Sequence, residues 1–227
     1  MNDGDLDISI LGETLTLLPE RAVFWKSRST LFIADPHWGK AATFRAYGIP
    51  VPSGTTDEGI ARLNSIVQRT SASHVIFLGD LLHAKAGRSS EMFAAVGAWR
   101  RKNPDVEMLL VRGNHDRRAG DPPDELGIRC TDAPHPMSPF VLDHHPRVNA
   151  SGYVLAGHIH PGVRVVGERL PCFSVGRDVA VLPAFGEFTG LAIISPVEGD
   201  RIFAIAEDCV IELRNPASPD FSAVSRE

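Results

Sequence analysis

Aspartate, histidine and one asparagine recur along this chain in five short clusters: Asp35-Pro36-His37, Gly79-Asp80, Gly113-Asn114-His115-Asp116, His144-His145 and Gly157-His158-Ile159-His160. Carboxylate oxygen, amide oxygen and imidazole nitrogen form a donor set suited to Mn²⁺, Fe or Zn²⁺. The clusters contain no thiolate, which argues against a structural zinc site. Asp80 has two carboxylate oxygens and can bridge two cations. Asp35 and His37 stand two apart, as do His158 and His160, and on an extended segment such side chains point the same way. Two divalent cations bring four positive charges, and Asp35 and Asp80 remove two. The remainder suits one hydroxide and one phosphodiester oxygen. Ions about 3.5–4 Å apart can activate water and stabilise both the attacking and the leaving oxygen. The chemistry expected is metal-assisted hydrolysis of a phosphoester.

His115 lies between Asn114 and Asp116. Consecutive side chains diverge on a turn, so His115 is free to face a substrate as general acid, oriented by Asp116 or another carboxylate. His83 reads equally as a residue behind the ligands or as a helix start, and His145 competes with His144 for the ligand role. His74 and His135 read as structural. Lys40, Arg45, Arg112 and Arg117 are candidates to contact an anionic substrate, with a surface role the alternative for the first two. Arg100-Arg101-Lys102 reads equally as a solvated helix end.

Each cluster follows a short apolar run: Thr30–Ala34, Val75–Leu78, Met108–Val111, Pro139–Leu142 and Tyr153–Ala156. Such runs, bounded by glycine and polar residues, read as buried strands, and ligands in α/β sheets bind beyond the strands' carboxyl ends. Residues 6–34 alternate in polarity with breaks at Gly12-Glu13 and Pro19-Glu20, which predicts two or three strands before the first cluster. Thr55-Thr56-Asp57-Glu58 has capping-box spacing ahead of Ile60, Leu63 and Val67, predicting a helix over 56–69. A second helix over 89–101 places Met92, Val96 and Trp99 on one face. Strand, helix, strand from 30 to 112 gives two βαβ units and a partly parallel sheet. Beyond residue 120 the sequence predicts strands only, at 139–143, 153–157, 163–166, 171–175, 179–183, 189–195 and 201–213. Because the clusters span this change, one domain over 1–214 is expected, two packed mixed sheets with helices outside. Residues 215–227 read as a flexible tail.

The chain has 227 residues, 43% of them hydrophobic and 22% charged, enough for a sizeable core. It shows no apolar run long enough for a membrane and no signal layout, so a cytoplasmic protein without membrane contact is expected. Three cysteines without CxxC spacing point to neither a disulfide framework nor a zinc finger. The net charge of −5 is unlike that of a general nucleic-acid binder and favours a small phosphodiester or phosphomonoester as the alternative substrate.

The clusters resemble those of the calcineurin-like metallophosphoesterase superfamily, whose pattern is D-x-H, G-D, G-N-H-[DE], H and G-H-x-H. A closer resemblance is to the DNA ligase-associated metallophosphoesterases (PdeM, the DNA damage response endonucleases). It is carried by Ala34–Arg45, Gly48–Gly54, Leu78–His83, Val111–Gly120, Gly157–Pro161 and Leu182–Gly190, and covers roughly residues 13–213. The resemblance implies an α/β-β-α sandwich with the metal site at strand C-terminal ends, and manganese-dependent phosphodiester hydrolysis of DNA. It also implies functional association with a repair ligase and a helicase. Asp35, His37, Asp80 and His160 would hold one ion, and Asp80, Asn114, His144 and His158 the other, with His115 as the acid. Pro36 and Trp38 replace the usual leucines on the side away from the ligands. His144-His145-Pro146 replaces the usual His-Glu-Pro, which bears on the choice between the two histidines. Leu182–Gly190 also reads as a strand end and glycine turn packed by Phe185 and Phe188. A non-catalytic interaction module would be expected to have lost some of the ligands, and all are present.

Overall fold

A computed structural model of the chain describes residues 4–51, 54–214 and 222–223. The predicted tail 215–227 falls outside this range apart from Ser222–Ala223. Strands β1 (Leu6–Ile10), β2 (Glu13–Leu18), β3 (Ala22–Trp25) and β4 (Thr30–Ile33) form an antiparallel meander. From β4 onward the pairing becomes parallel, through β5 (His74–Leu78), β6 (Glu107–Val111) and β7 (Ile128–Thr131). The result is a seven-stranded sheet in sequence order. Helices α1 (Lys40–Ala46) and α2 (Thr55–Thr70) lie between β4 and β5, α3 (Ser90–Lys102) between β5 and β6, and α4 (Asn114–Ala119) between β6 and β7.

The second sheet comprises β8 (His135–Met137), β9 (Phe140–Leu142), β10 (Tyr153–Ala156), β11 (Pro161–Val165), β12 (Glu168–Val175), β13 (Val179–Val181), β14 (Ala192–Ile193), β15 (Arg201–Ala206), β16 (Cys209–Arg214) and β17 (Ser222–Ala223). Its order is β17-β16-β15-β12-β13-β10-β9-β8, with β11 between β12 and β14. β10 pairs in parallel with β9 and β13, and β12 runs antiparallel to β13, so this sheet is also mixed.

Alternation along β4 and β5 sends side chains to two cores. Leu31, Ile33, Val75 and Phe77 pack under Leu63, Ile66 and Val67 of α2 and Met92, Val96 and Trp99 of α3. Phe32, Ile76 and Leu78 face the other way, joining Trp25 to Phe140, Leu155, Phe173 and Phe203 of the second sheet. The Trp25 and Phe140 rings meet edge to face at 5.0 Å. The two packed mixed sheets are those expected. The helical layer lies on the first sheet; the second sheet's outer clusters consist of strand and loop residues.

Several local expectations are corrected. Gly54, in a left-handed conformation, caps α2, and no side chain caps it; the Thr55–Glu58 capping box is therefore not formed. The predicted strand 201–213 is a hairpin, reversed at Glu207 by a positive φ. The strand 189–195 shrinks to Ala192–Ile193. Helix α1 and strands β7 and β8 had not been anticipated.

Candidate metal centre

The strands end on one rim, and the clusters follow them there: Asp35 after β4, Asp80 after β5, Asn114 after β6, His144 after β9 and His158 after β10. Three of the strands belong to the first sheet and two to the second, so the centre straddles both. Asp35 and His144 are fully buried, and Asp80 and His37 nearly so.

His144 lies among the other candidate ligands. Its Nδ1 is 3.1 Å from the carbonyl oxygen of Leu78, a geometry that lets Nδ1–H donate and turns Nε2 inward. Nε2 lies 3.0 Å from Asn114 Oδ1, 3.4 Å from Asp80 Oδ2 and 3.0 Å from His158 Nδ1. His160 Nε2 lies 3.5 Å from Asp35 Oδ1, and donor atoms of Asp35, His37 and His160 fall within 4.8 Å of one another. The same holds for Asp35, Asp80 and His144. Asp80 Oδ1 accepts the backbone N–H of His115 at 2.8 Å, and Asp35 Oδ2 that of His158 at 2.8 Å. In each carboxylate one oxygen is anchored by backbone while the other faces imidazoles. Asp35 Oδ1 is buried without a hydrogen-bond partner among the described residues. An orphaned carboxylate oxygen ringed by imidazoles fits a cation.

Charge effects point the same way. His144 raises no barrier to the ionised Asp80: burial opposes the charge, but the hydrogen bond and charge of His144 outweigh it and hold Asp80 at about 2. Burial works against His144 as well, yet Asp80 and Asp35 push it up to about 9. This negative field is what a divalent ion would meet. Burial drives His37 down to about 2 and His83 to about 4, which keeps both imidazoles neutral and their lone pairs available.

Convergence arises differently from the extended geometry expected. Asp35, His37, Asp80, His158 and His160 all have positive φ, between 48° and 72°. In tight left-handed turns each side chain is swung back over the strand ends, at a cost in backbone strain for residues other than glycine. The motif glycines leave room for this. A Cβ on Gly79 would stand 2.2 Å from His144 Nδ1, one on Gly113 2.2 Å from Asp80 Oδ1, and one on Gly157 2.5 Å from Asp35 Oδ2.

The structure gives Asp116, His115, Arg112 and Arg117 specific partners within the chain. The Asp116 carboxylate accepts the N–H groups of Leu82 and Gly113, at 3.0 and 2.9 Å, and so fastens α4 rather than His115. The His115 ring lies between a carbonyl and a second carboxylate: its Nδ1 is 2.6 Å from His83 O and its Nε2 3.9 Å from Asp80 Oδ2. Arg112 is held bidentate by Asp121, at 2.7 and 2.6 Å, and Arg117 meets Asp132 at 3.2 Å, so both already have acidic partners. Lys40 is half-buried and feels the charge of Asp35, although burial lowers its pKa. Together with His37 it lines a groove closed by residues 186–189. Arg45 is exposed and faces a neighbouring groove lined by Gly54 and Thr55.

His83 packs against the centre, although its sequence position offers a helix start equally well. Its ring stacks on His115 at 4.9 Å, and its Nδ1 lies 3.3 Å from His37 Nδ1. The Leu182–Gly190 stretch braces the first cluster, with Phe185 N donating to Ala34 O at 2.8 Å and Gly186 N to Asp35 O at 3.2 Å. Phe185 is buried beneath the Arg62 guanidinium; Phe188 is 39% exposed and does not pack as expected.

Among families of known proteins, the calcineurin-like phosphoesterases match residues 29–167, which carry all five clusters. The chain belongs to this family. Among solved structures, the nuclease MPE of Pseudomonas putida shares 39% identity over 91% of this chain and 100% of its own, with a TM-score of 0.81. The phosphoesterase Yfce of E. coli shares 15% identity over 86% of this chain and 99% of its own; its TM-score of 0.36 is too low to carry an argument. Comparison with curated proteins found no match. Like its family, the chain is a hydrolase of phosphoesters with a site for divalent metal. None of its described helices is long and apolar enough to cross a membrane.

Proposed function

We propose that this calcineurin-like phosphoesterase hydrolyses phosphodiester bonds in DNA at a centre of two divalent ions, Mn²⁺ foremost. In this reading Asp35, His37, Asp80 and His160 would hold one ion and Asp80, Asn114, His144 and His158 the other, with Asp80 common to both. The observation that carries it is the buried Asp35 carboxylate with an oxygen unpartnered among imidazoles. Likeness to a nuclease supports a nucleic-acid substrate, and the closer motif resemblance supports a role in cytoplasmic DNA repair beside a ligase and a helicase.

Such a pair of ions, when bound, supplies Lewis acidity toward the phosphoryl oxygens and lowers the pKa of water. The remaining work falls to the chain. With Nδ1 held by the His83 carbonyl, His115 would carry a proton on Nε2 and pass it to the departing alkoxide. Asp116 fixes the first turn of α4, and with it the relation of Asn114 to His115. Lys40 would meet a substrate phosphate from the groove it lines with His37. The engagement of Arg112 and Arg117 with acidic partners favours, as a second reading, a small phosphodiester that needs few cationic contacts.

The test is turnover with Mn²⁺ on single- and double-stranded DNA, cyclic nucleotides, bis-p-nitrophenyl phosphate and its monoester, for wild type and His115→Ala. DNA cleavage supports the first reading, and hydrolysis of cyclic nucleotides alone the second. His115→Ala should keep both ions and lose about 10²–10⁴ in rate on DNA, the usual worth of general acid catalysis. On p-nitrophenyl esters, whose leaving group hardly needs a proton, the loss should be smaller. Equal losses on both substrates would make His115 a positioning group.

A further inference from the structure

The His37, His83 and His115 rings lie side by side on the α1 flank of the centre, with ring centroids 4.9–5.2 Å apart. Each offers a nitrogen within 4.8 Å of the others. His83 takes no part in holding the two ions proposed above. Its Nδ1 nevertheless faces His37 Nδ1 at 3.3 Å; with Nε2 on the ion shared with Asp35 and His160, His37 would bridge as an imidazolate, its ring proton released to solvent. Two nitrogens on one tetrahedral zinc, each at about 2.0–2.1 Å, stand about 3.3–3.4 Å apart. The separation of the two imidazoles is therefore already the edge of such a polyhedron. His115 has Nδ1 occupied by the His83 carbonyl, so Nε2 is the nitrogen it has to offer.

We propose that His37, His83 and His115 form a binding site for a third divalent cation of the Zn²⁺ class, whose occupancy withdraws His115 from proton transfer and inhibits the enzyme. The donor set separates this site from its neighbour. The two-ion centre mixes carboxylates and an amide with imidazoles and so accommodates Mn²⁺. Three imidazoles without a carboxylate hold Mn²⁺ poorly and favour Zn²⁺, Ni²⁺ or Cu²⁺, following both ligand softness and the Irving–Williams order. Three protein ligands and one open position make a common zinc coordination. The inhibitory consequence rests on the role proposed for His115, whereas binding of the ion does not.

Equilibrium dialysis followed by elemental analysis tests the binding. At saturation with Zn²⁺ the total of divalent ions per chain should exceed by one the total reached with Mn²⁺ alone. Counting all ions together makes the result insensitive to exchange of Zn²⁺ for Mn²⁺ in the centre. It is the difference that matters, so the outcome is separable from whether the centre itself holds two ions. His83→Gln and His115→Gln should each abolish the extra ion and keep the Mn²⁺ total. If one variant fails to fold, the other carries the test. The Zn²⁺ concentration for half-inhibition should rise at least about tenfold in His83→Gln, since even losing a partner behind a ligand costs that much affinity. Equal totals for Zn²⁺ and Mn²⁺, or an extra ion that persists in either folded variant, would overturn the site. An unchanged half-inhibition concentration would overturn its inhibitory role.

Discussion

One methyl group measures how closely the centre is packed. Gly113 has φ −90°, open to any residue, so Gly113→Ala introduces no backbone strain of its own. Its Cβ would nonetheless fall 2.2 Å from Asp80 Oδ1 and 2.6 Å from Asp80 N. The Asp80 carboxylate must move, and Mn²⁺ affinity should fall at least about tenfold if Asp80 bridges as proposed, by analogy with damage behind a metal ligand. Metal titration of the folded variant would show it; unaltered affinity would mean Asp80 is not a shared ligand. At this scale the sequence was a good guide to identities and a poor one to geometry. Ligand types and strand-end positions could be read directly from cluster composition. The left-handed turns that aim Asp35, His37, Asp80, His158 and His160 could not, because a period of two suggests extension and hides φ. The contacts of His83 with His37, and the Asp121 and Asp132 partners of the arginines, join positions far apart or in loops. No local pattern records them.

Helix caps show where local rules hold within the elements. Ser89 caps α3, its Oγ accepting the N–H of Met92 at 3.2 Å. Ser89→Ala should cost about 1 kcal/mol, the usual worth of such a cap. In a chain of this size that lowers the thermal midpoint by about 2–4 °C. Thr55→Ala should stay within about 0.5 kcal/mol, because Gly54 caps α2 and no side chain assists. Paired thermal melts would compare the two, and equal losses would refute the assignment of caps. Helices α2 and α3 were legible to within about a residue or two because their apolar stripes face a single sheet. Helix α1 offered less than two turns and only Ala41 and Thr43 as buried residues, too little for a periodic signal. The β15–β16 hairpin looked like one strand because its turn at Glu207-Asp208 contains neither glycine nor proline.

For the whole molecule, the centre doubles as a clasp. Asp35, Asp80 and Asn114 follow strands of the first sheet and His144, His158 and His160 strands of the second, so each of the two ions proposed for the centre would tie the sheets together. Binding confined to the folded state should add about 2.7 kcal/mol per ion at a hundredfold excess over Kd. Thermal melts with saturating Mn²⁺ and with chelator should therefore differ by several degrees, and the midpoint should rise with Mn²⁺ concentration. An insensitive midpoint would mean that no ion binds the folded chain in preference to the unfolded one.

If the five left-handed residues hold the ions as proposed, robustness and chemistry are opposed in this fold. A non-glycine residue in that conformation costs about 1–2 kcal/mol, more than the roughly 0.5–1 kcal/mol of chain entropy that glycine would lose on folding. His158 is exposed and has φ 72°, so replacing it with glycine sacrifices little packing. In chelator His158→Gly should melt above wild type; in saturating Mn²⁺, where wild type gains a ligand's worth of binding that the variant lacks, the order should reverse. Selection for durability alone would erode this rim toward glycine, and it is the demand for cations that keeps aspartate and histidine in turns that disfavour them.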